Sequence, residues 1–268
     1  VRSFESLGQH KAVLGMVHLQ PLPGTPFHRP GTFPEILKRA VESARCLDSG
    51  GADGCLVQTV DRVYATGEES DPARITAMGL IVNAIAEATS ERFQVGVQLM
   101  ANALKASLAV AKVAGGSYIR AGAVVGATLS EHGMIEAHPL EVARYRLAID
   151  ATAIKVIAEI DSMHFRWFGE PKPVAQVAAA ARRVGADAVS LCHRDEAVTL
   201  KMIASVRDQV PGLPVILAGY TNHDNVARLM AAADGAFVGS CLERGGWGGP
   251  IDVEKVKAYV DIVRGLEP

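Results

Sequence analysis

Short apolar runs and longer amphipathic stretches alternate about eight times along this chain. The apolar runs are Ala12–Val17, Ala52–Val57, Phe93–Leu99, Ser117–Ala121, Ile154–Ile160, Ala186–Leu191, Val215–Ala218 and Ala236–Val238. They are short and largely apolar at successive rather than alternate positions, the pattern of parallel strands buried on both faces. Between them the spacing turns helical. Thr32 and Glu35 read as a capping box opening a helix to about Ser49, and Asp71-Pro72 as an N-cap and first-turn proline for a helix to about Thr89. Asn102 is placed to cap Ala103–Ala114, and Thr221 and Asn222 a short helix carrying Val226, Leu229 and Met230 on one face. Further helices are expected around Val142–Ile149, over Val174–Val184 and Glu196–Gln209, and from Asp252 to about Arg264.

Strands apolar on both faces, each followed by a helix, imply a closed parallel sheet with helices outside. The expected fold is therefore α/β, a single (β/α)8 TIM barrel over residues 1–268 with a short N-terminal helical segment. An open doubly wound sheet would place a Gly-rich phosphate loop after its first strand, where this chain has the Pro-rich HLQPLPG. No shift in composition marks a domain boundary. The connection after the fourth strand, GAVVGATLSEHGMIEAHPLE, is too long for a plain barrel turn and points to function.

Composition narrows the partners. Of the 268 residues 49% are apolar and only 5% aromatic, so Ala and Val carry the packing, as close helix–strand contact requires. A formal net charge of −2 leaves no basic footprint for nucleic acid. Cys46, Cys55, Cys192 and Cys241 show no CxxC spacing and read as buried reduced thiols. The first residues lack an apolar leader core, and no apolar run reaches the roughly 18 residues of a membrane span. A cytoplasmic protein without membrane insertion is expected, and barrels of this type often form homo-oligomers.

Active sites of such barrels lie at the C-terminal ends of the strands. The residues there are His18, Gln58, Gln98, Asn102, Arg120, Glu159, Asp161, His164 and Cys192-His193. Glu159 closes an apolar strand, where a carboxylate is costly without a partner or a task. With Asp161 and His164 it suits acid–base chemistry, and with His18 added the four could hold a divalent metal; otherwise Glu159 forms a buried ion pair with Arg120. Neighbours on a strand end point to opposite sides, which counts against Cys192-His193 as a nucleophile pair. Lys155 comes too early in its strand to reach the mouth and should pair or snorkel at the barrel bottom. The last two strands end at Gly219-Tyr220 and Gly239-Ser240, the turns that commonly cradle a phosphate.

The stretches GMVHLQPLPGTP at 15–26, IRAGAVVGATLSEHGMIEA at 119–137, EVARYRLAI at 141–149 and DGAFVGSCLERGGWGGPIDVEKV at 234–256 resemble the BtpA/SgcQ family. The resemblance implies a barrel akin to the ribulose-phosphate-binding barrels. One branch of that family is known as a factor for photosystem I accumulation, and bacterial relatives lie among sugar-phosphate genes. His18, Arg120, Glu136, His164 and the glycine turns keep the family's pattern. The chain departs from it at Gln58-Thr59, Gln98, Ala101-Asn102-Ala103, Glu159, Met163 and Cys192-His193, where the family usually shows Glu-Asn, Asn, Arg-Asn-Asp, Asp, Lys and Thr-Gly. These departures imply a subgroup with a different substrate or a lost activity.

The expected function is an isomerase or lyase acting on a phosphorylated sugar or similar small phosphate ester. Glu159, His164, Asp161 and His18 would be catalytic. Arg120, Gln58, Gln98, Asn102 and Glu136 would bind substrate, and Gly219, Tyr220, Gly239 and Ser240 its phosphate. No cofactor is required by this reading. The alternatives are a metal-assisted glycosidic hydrolase and a non-catalytic assembly factor, which should expose a large apolar patch.

Overall fold

A computed structural model describes residues 2–266. Eight parallel strands close a barrel: β1 (Ala12–Leu19), β2 (Gly54–Thr59), β3 (Gln94–Gln98), β4 (Tyr118–Ala121), β7 (Lys155–Asp161), β8 (Ala188–Leu191), β9 (Val215–Leu217) and β10 (Gly235–Val238), with β10 returning to pair with β1. The helices are α1 (Phe33–Ser49), α2 (Pro72–Ala88), α3 (Leu104–Ala114), α4 (Pro139–Ala148), α5 (Val174–Arg183), α6 (Glu196–Gln209), α7 (Val226–Ala232) and α8 (Val253–Arg264). The long connection after β4 folds into an antiparallel hairpin, β5 (Ala127–Ser130) and β6 (Gly133–Glu136).

Two cores follow from the two faces of each strand. Outward residues such as Val13, Val57, Val97 and Val189 pack under the helices. Inward residues Leu14, Leu56, Tyr118, Ile157, Ala188, Ile216 and Phe237 fill the lower barrel. Tyr118 dominates that layer: its hydroxyl donates to the Cys55 carbonyl at 2.8 Å. A Cβ on Gly96 would lie 2.1 Å from its ring, so the neighbouring strand has to be glycine there. Where a helix was expected near the N-terminus, residues 2–11 form turns with a Leu7–His10 bridge. Phe4 from this segment plugs the barrel floor, fully buried with its ring 5.5 Å from that of Tyr118.

Helix starts follow the expected pattern in part. Asp71 accepts the Ala73 amide and Asp252 the Glu254 amide, as N-caps do. The Thr32–Glu35 capping box does not form, because the Thr32 hydroxyl turns back to the Arg29 carbonyl. Asn102 does not cap α3; its amide bonds both ways with the backbone of Ala123. Asn222 makes a tight turn that receives the Asp224 and Asn225 amides, and Thr221 bonds the Tyr259 hydroxyl, so neither caps α7. Lys155 pairs with Asp187 at 3.5 Å at the start of β7. No described helix is long and apolar enough to cross a membrane, and all four cysteines are unpaired.

Candidate functional site

Strands β1 and β2 run two residues further than their apolar patterns suggest, in register as far as Leu19 and Thr59. His18, Gln58 and Gln98 consequently stand side by side across β1, β2 and β3, on the inward phase of their strands. Arg120 takes the next place around the barrel, with its guanidinium 4.9 Å from the Phe237 ring centroid, directly above the apolar layer. The upper interior is thus polar over an apolar floor.

Arg120 and Glu159 form the centre of this layer. Both are almost fully buried, and the arginine Nη2 donates to Glu159 Oε1 at 2.8 Å. Ser162 donates to the same oxygen and receives the His164 and Phe165 amides, at 2.9 and 3.2 Å. This knot fixes both the carboxylate and the turn that presents His164. The His164 imidazole is exposed on one side at the rim, yet the protein around it still desolvates it. Its pKa is lowered by that desolvation, against the pull of Glu159, with Arg120 and His18 adding to the lowering. His164 therefore stands neutral at pH 7, able to accept a proton.

Several buried polar atoms here have no hydrogen-bond partner among the described residues: His18 Nδ1, Gln98 Oε1, Arg120 Nε and Ser190 Oγ. Ser190 is in register with Glu159 on the neighbouring strand. His18 Nδ1 lies 3.8 Å from Glu243 Oε1, too far for a hydrogen bond. Glu243 is itself buried and accepts the Gly248 amide at 2.7 Å.

Both glycine turns face the same mouth. Tyr220 has a left-handed backbone, φ +57°, and Gly219 has φ +146°. Their carbonyl side is occupied, with the Tyr220 oxygen accepting Asn225 Nδ2 at 2.9 Å. Gly239 and Ser240 open a 3-10 turn in which their carbonyls receive the Leu242 and Glu243 amides. The amides of Gly219, Tyr220, Gly239 and Ser240 donate to no acceptor among the described residues. A Cβ on Gly239 would lie 3.6 Å from the His18 ring, which sets this turn against the polar layer.

Three expected site residues are not brought in. Asn102 spends its amide on Ala123. Glu136 is exposed on the hairpin. A bulge between Glu159 and Asp161 pairs Asp161 with Leu191, out of phase with Glu159. Burial raises the Asp161 pKa, eased by Arg166 and His193 rather than by Arg120. Among the described residues no group of three or more His, Cys, Asp or Glu is placed to hold a metal ion, so His18, Glu159, Asp161 and His164 do not form one ligand set. The Cys192 thiol is pushed up to about 11 by burial, the opposite of an activated nucleophile.

Ser162 and Ser190 stand beside Glu159, and Glu243 and Trp247 beside His18, with no sequence pattern that singles them out. Ser190 has the inward phase of β8, and Glu243 follows a strand-end glycine turn, which were the only available signals. A cluster beside the mouth was also missed: buried Arg74 bonds Asp61, Thr59 and the Met100 carbonyl, tying the β2 and β3 loops together.

The model of the BtpA family matches residues 9–265. The Photosystem I biogenesis protein BtpA of Synechocystis sp. is 29% identical over 261 residues, covering 96% of this chain and 90% of that protein. An uncharacterized protein of Archaeoglobus fulgidus is 29% identical over 258 residues, 95% of this chain and 99% of its own. Among solved structures, N-(5'-phosphoribosyl)anthranilate isomerase from Pyrococcus furiosus superposes with a TM-score of 0.54 at 17% identity, covering 96% of this chain and 100% of that one. Tryptophan synthase subunit alpha from Campylobacter jejuni gives 0.56 at 13% identity, with 97% of each chain covered. At such identities the likeness is one of fold.

Proposed function

The chain belongs to the BtpA family, and on that premise we propose that its barrel mouth is the active site of an enzyme acting on a phosphorylated sugar or similar small phosphate ester. The observation that carries this reading is the set of unpartnered buried atoms on His18, Gln98, Arg120 and Ser190. Buried polar atoms need a partner, water or ligand, and several together on one polar layer at a barrel mouth suit a polar ligand that takes the place of water. The phosphate would dock on the free amides of Gly219, Tyr220, Gly239 and Ser240, where the phosphate of related folds commonly sits. The name of the Pyrococcus furiosus isomerase includes a phosphoribosyl group, in keeping with this.

In this reading His164, neutral at pH 7, and Glu159 exchange protons with the substrate in an isomerase or lyase step. Arg120 uses Nη2 to hold Glu159 and has Nε left for a substrate oxygen. His18 lies beside the Gly239 turn, where the phosphate meets the reacting carbon. Calorimetry with ribose 5-phosphate tests the docking. Binding to the native protein should weaken at least tenfold in Gly239→Glu, which puts a carboxylate against the phosphate. Gly239→Ala, whose Cβ has room, is the folding control. Equal affinity in native protein and Gly239→Glu sinks the reading.

A second reading, a non-catalytic assembly factor, is favoured by the name of the Synechocystis relative. Exposed Val113, Leu140 and Leu147 on α3 and α4 supply an apolar surface in its support. The two readings separate by complementation of a deletion strain. An assembly factor tolerates Gly239→Glu and fails with Leu140→Glu/Leu147→Glu, and an enzyme does the reverse.

A further inference from the structure

The mouth does not end at the polar layer. A cavity of about 700 Å³ opens beside His18 and runs between β1, α1 and the Arg244–Pro250 segment. Met16 and His18 from the inward phase of β1 line it, and so do Val17 and Leu19 from the outward phase. It therefore passes over the C-terminal end of β1, from the barrel mouth to the face of α1. Volumes of about 300–1,000 Å³ are typical of whole small-molecule sites. This space lies outside the glycine turns, so a compact sugar phosphate held on those turns leaves it empty.

Its chemistry differs from that of the mouth. Ile36, Ala40 and Ile251 give it apolar walls, and Trp247 stands at its entrance with its ring 5.7 Å from that of His18. Arg39, Arg62 and Arg244 stand around it, and none is paired with a carboxylate among the described residues. Arg39 reaches only the Gly248 carbonyl, at 3.4 Å, and Arg62 lies over the Phe27 ring. Two carboxylates also line it: exposed Glu42, 4.0 Å from Lys38, and buried Glu243, which accepts the Gly248 amide. An apolar slot, a Trp and a His ring at its neck and three guanidinium groups without a carboxylate partner among the described residues fit a planar apolar group bearing an acid.

We propose that this cavity is a second subsite that takes a planar, acid-bearing substituent of the substrate, so that the substrate class is a phosphosugar carrying such a group rather than a bare sugar phosphate. The assignment rests on the phosphate reading of the mouth for its substrate class, but the cavity is testable without it. Naphthalene-2-carboxylate is the probe, because it is planar and acidic and has no phosphate. By calorimetry it should bind the native protein, and at least tenfold more weakly after Arg39→Ala/Arg244→Ala. Both arginines are exposed, so that variant should keep its native circular dichroism. Trp247→Ala should also weaken the probe. Binding of naphthalene-2-carboxylate and ribose 5-phosphate should be simultaneous, each titrating normally in the presence of the other.

No binding of the naphthoate to native protein, or undiminished binding by the double variant, overturns the subsite. Mutual exclusion of the two probes overturns it as well, since the cavity and the mouth would then be one site. If ribose 5-phosphate fails to bind while the naphthoate behaves as expected, the subsite stands and the phosphate reading of the mouth falls.

Discussion

Glu159 is a buried carboxylate with a structural role, and the proposed function would give it a chemical one as well. Arg120 and Ser162 hold it from two sides, and the same serine fixes the turn that carries His164. Removing one member of a buried pair leaves an uncompensated charge, at a cost of about 3–5 kcal/mol. Glu159→Ala should lose stability on that scale in urea titration, whereas Glu159→Gln, which still accepts from Arg120, should lose clearly less. If the substituted proteins are equally stable, Arg120 has another partner and the pair is not the centre of the site. The His164 imidazole gives a second check at this scale. With its pKa lowered by desolvation, its NMR titration should have a midpoint below the ordinary value of about 6.5. If His164 is the base of the proposed reaction, the rate should fall with acid below that midpoint, where the imidazole is protonated. A midpoint above 6.5 would mean that Glu159 outweighs desolvation there.

At the scale of elements, Asp53 joins the beginning of the barrel to its end. It stands just before β2, accepts the Val13 amide of β1 at 2.7 Å, and receives His10 and Arg264 of α8. Burial pushes its carboxyl up, but the hydrogen bonds from His10, Arg264 and Val13 outweigh that and hold it below the usual carboxylate range. A depressed carboxylate contributes stability above its unfolded pKa of about 3.9 and loses it as pH falls through the lower folded value. Asp53→Asn should therefore be less stable than the native protein at pH 7, and the gap should narrow below about pH 4. A gap independent of pH would assign the loss to shape instead of charge.

Across the whole molecule the barrel is graded from an apolar, plugged floor to a polar mouth. Phe4 and Tyr118 close one end, and at the other lie buried polar atoms that have no hydrogen-bond partner among the described residues. The Gly245–Trp247 segment over the mouth is exposed, whereas β1 is flanked by β2 and β10 and buried along most of its length. Amide exchange followed by mass spectrometry should find residues 245–247 exchanging early and β1 among the last. Early exchange of β1 would show that the barrel opens between its first and last strands.

The sequence by itself determined the (β/α)8 order, because strands buried on both faces are apolar at most successive positions and leave a direct mark in the chain. The same logic singles out His18, Arg120, Glu159 and both glycine turns as candidates at the strand ends, since each interrupts or ends such a run. Only the tertiary structure decided which of these meet. Strand lengths depend on ladder partners, so Gln58 proved to lie within β2. A single bulge turned Asp161 out of phase, and Asn102 was spent on a backbone partner 21 residues away. Phe4 filled the floor from a segment with no periodicity to announce it. Helical or strand period records which side of an element is buried, but not which residue lies across the barrel. The pairing of Arg120 with Glu159, and the space left beside His18, exist only once the sheet has closed.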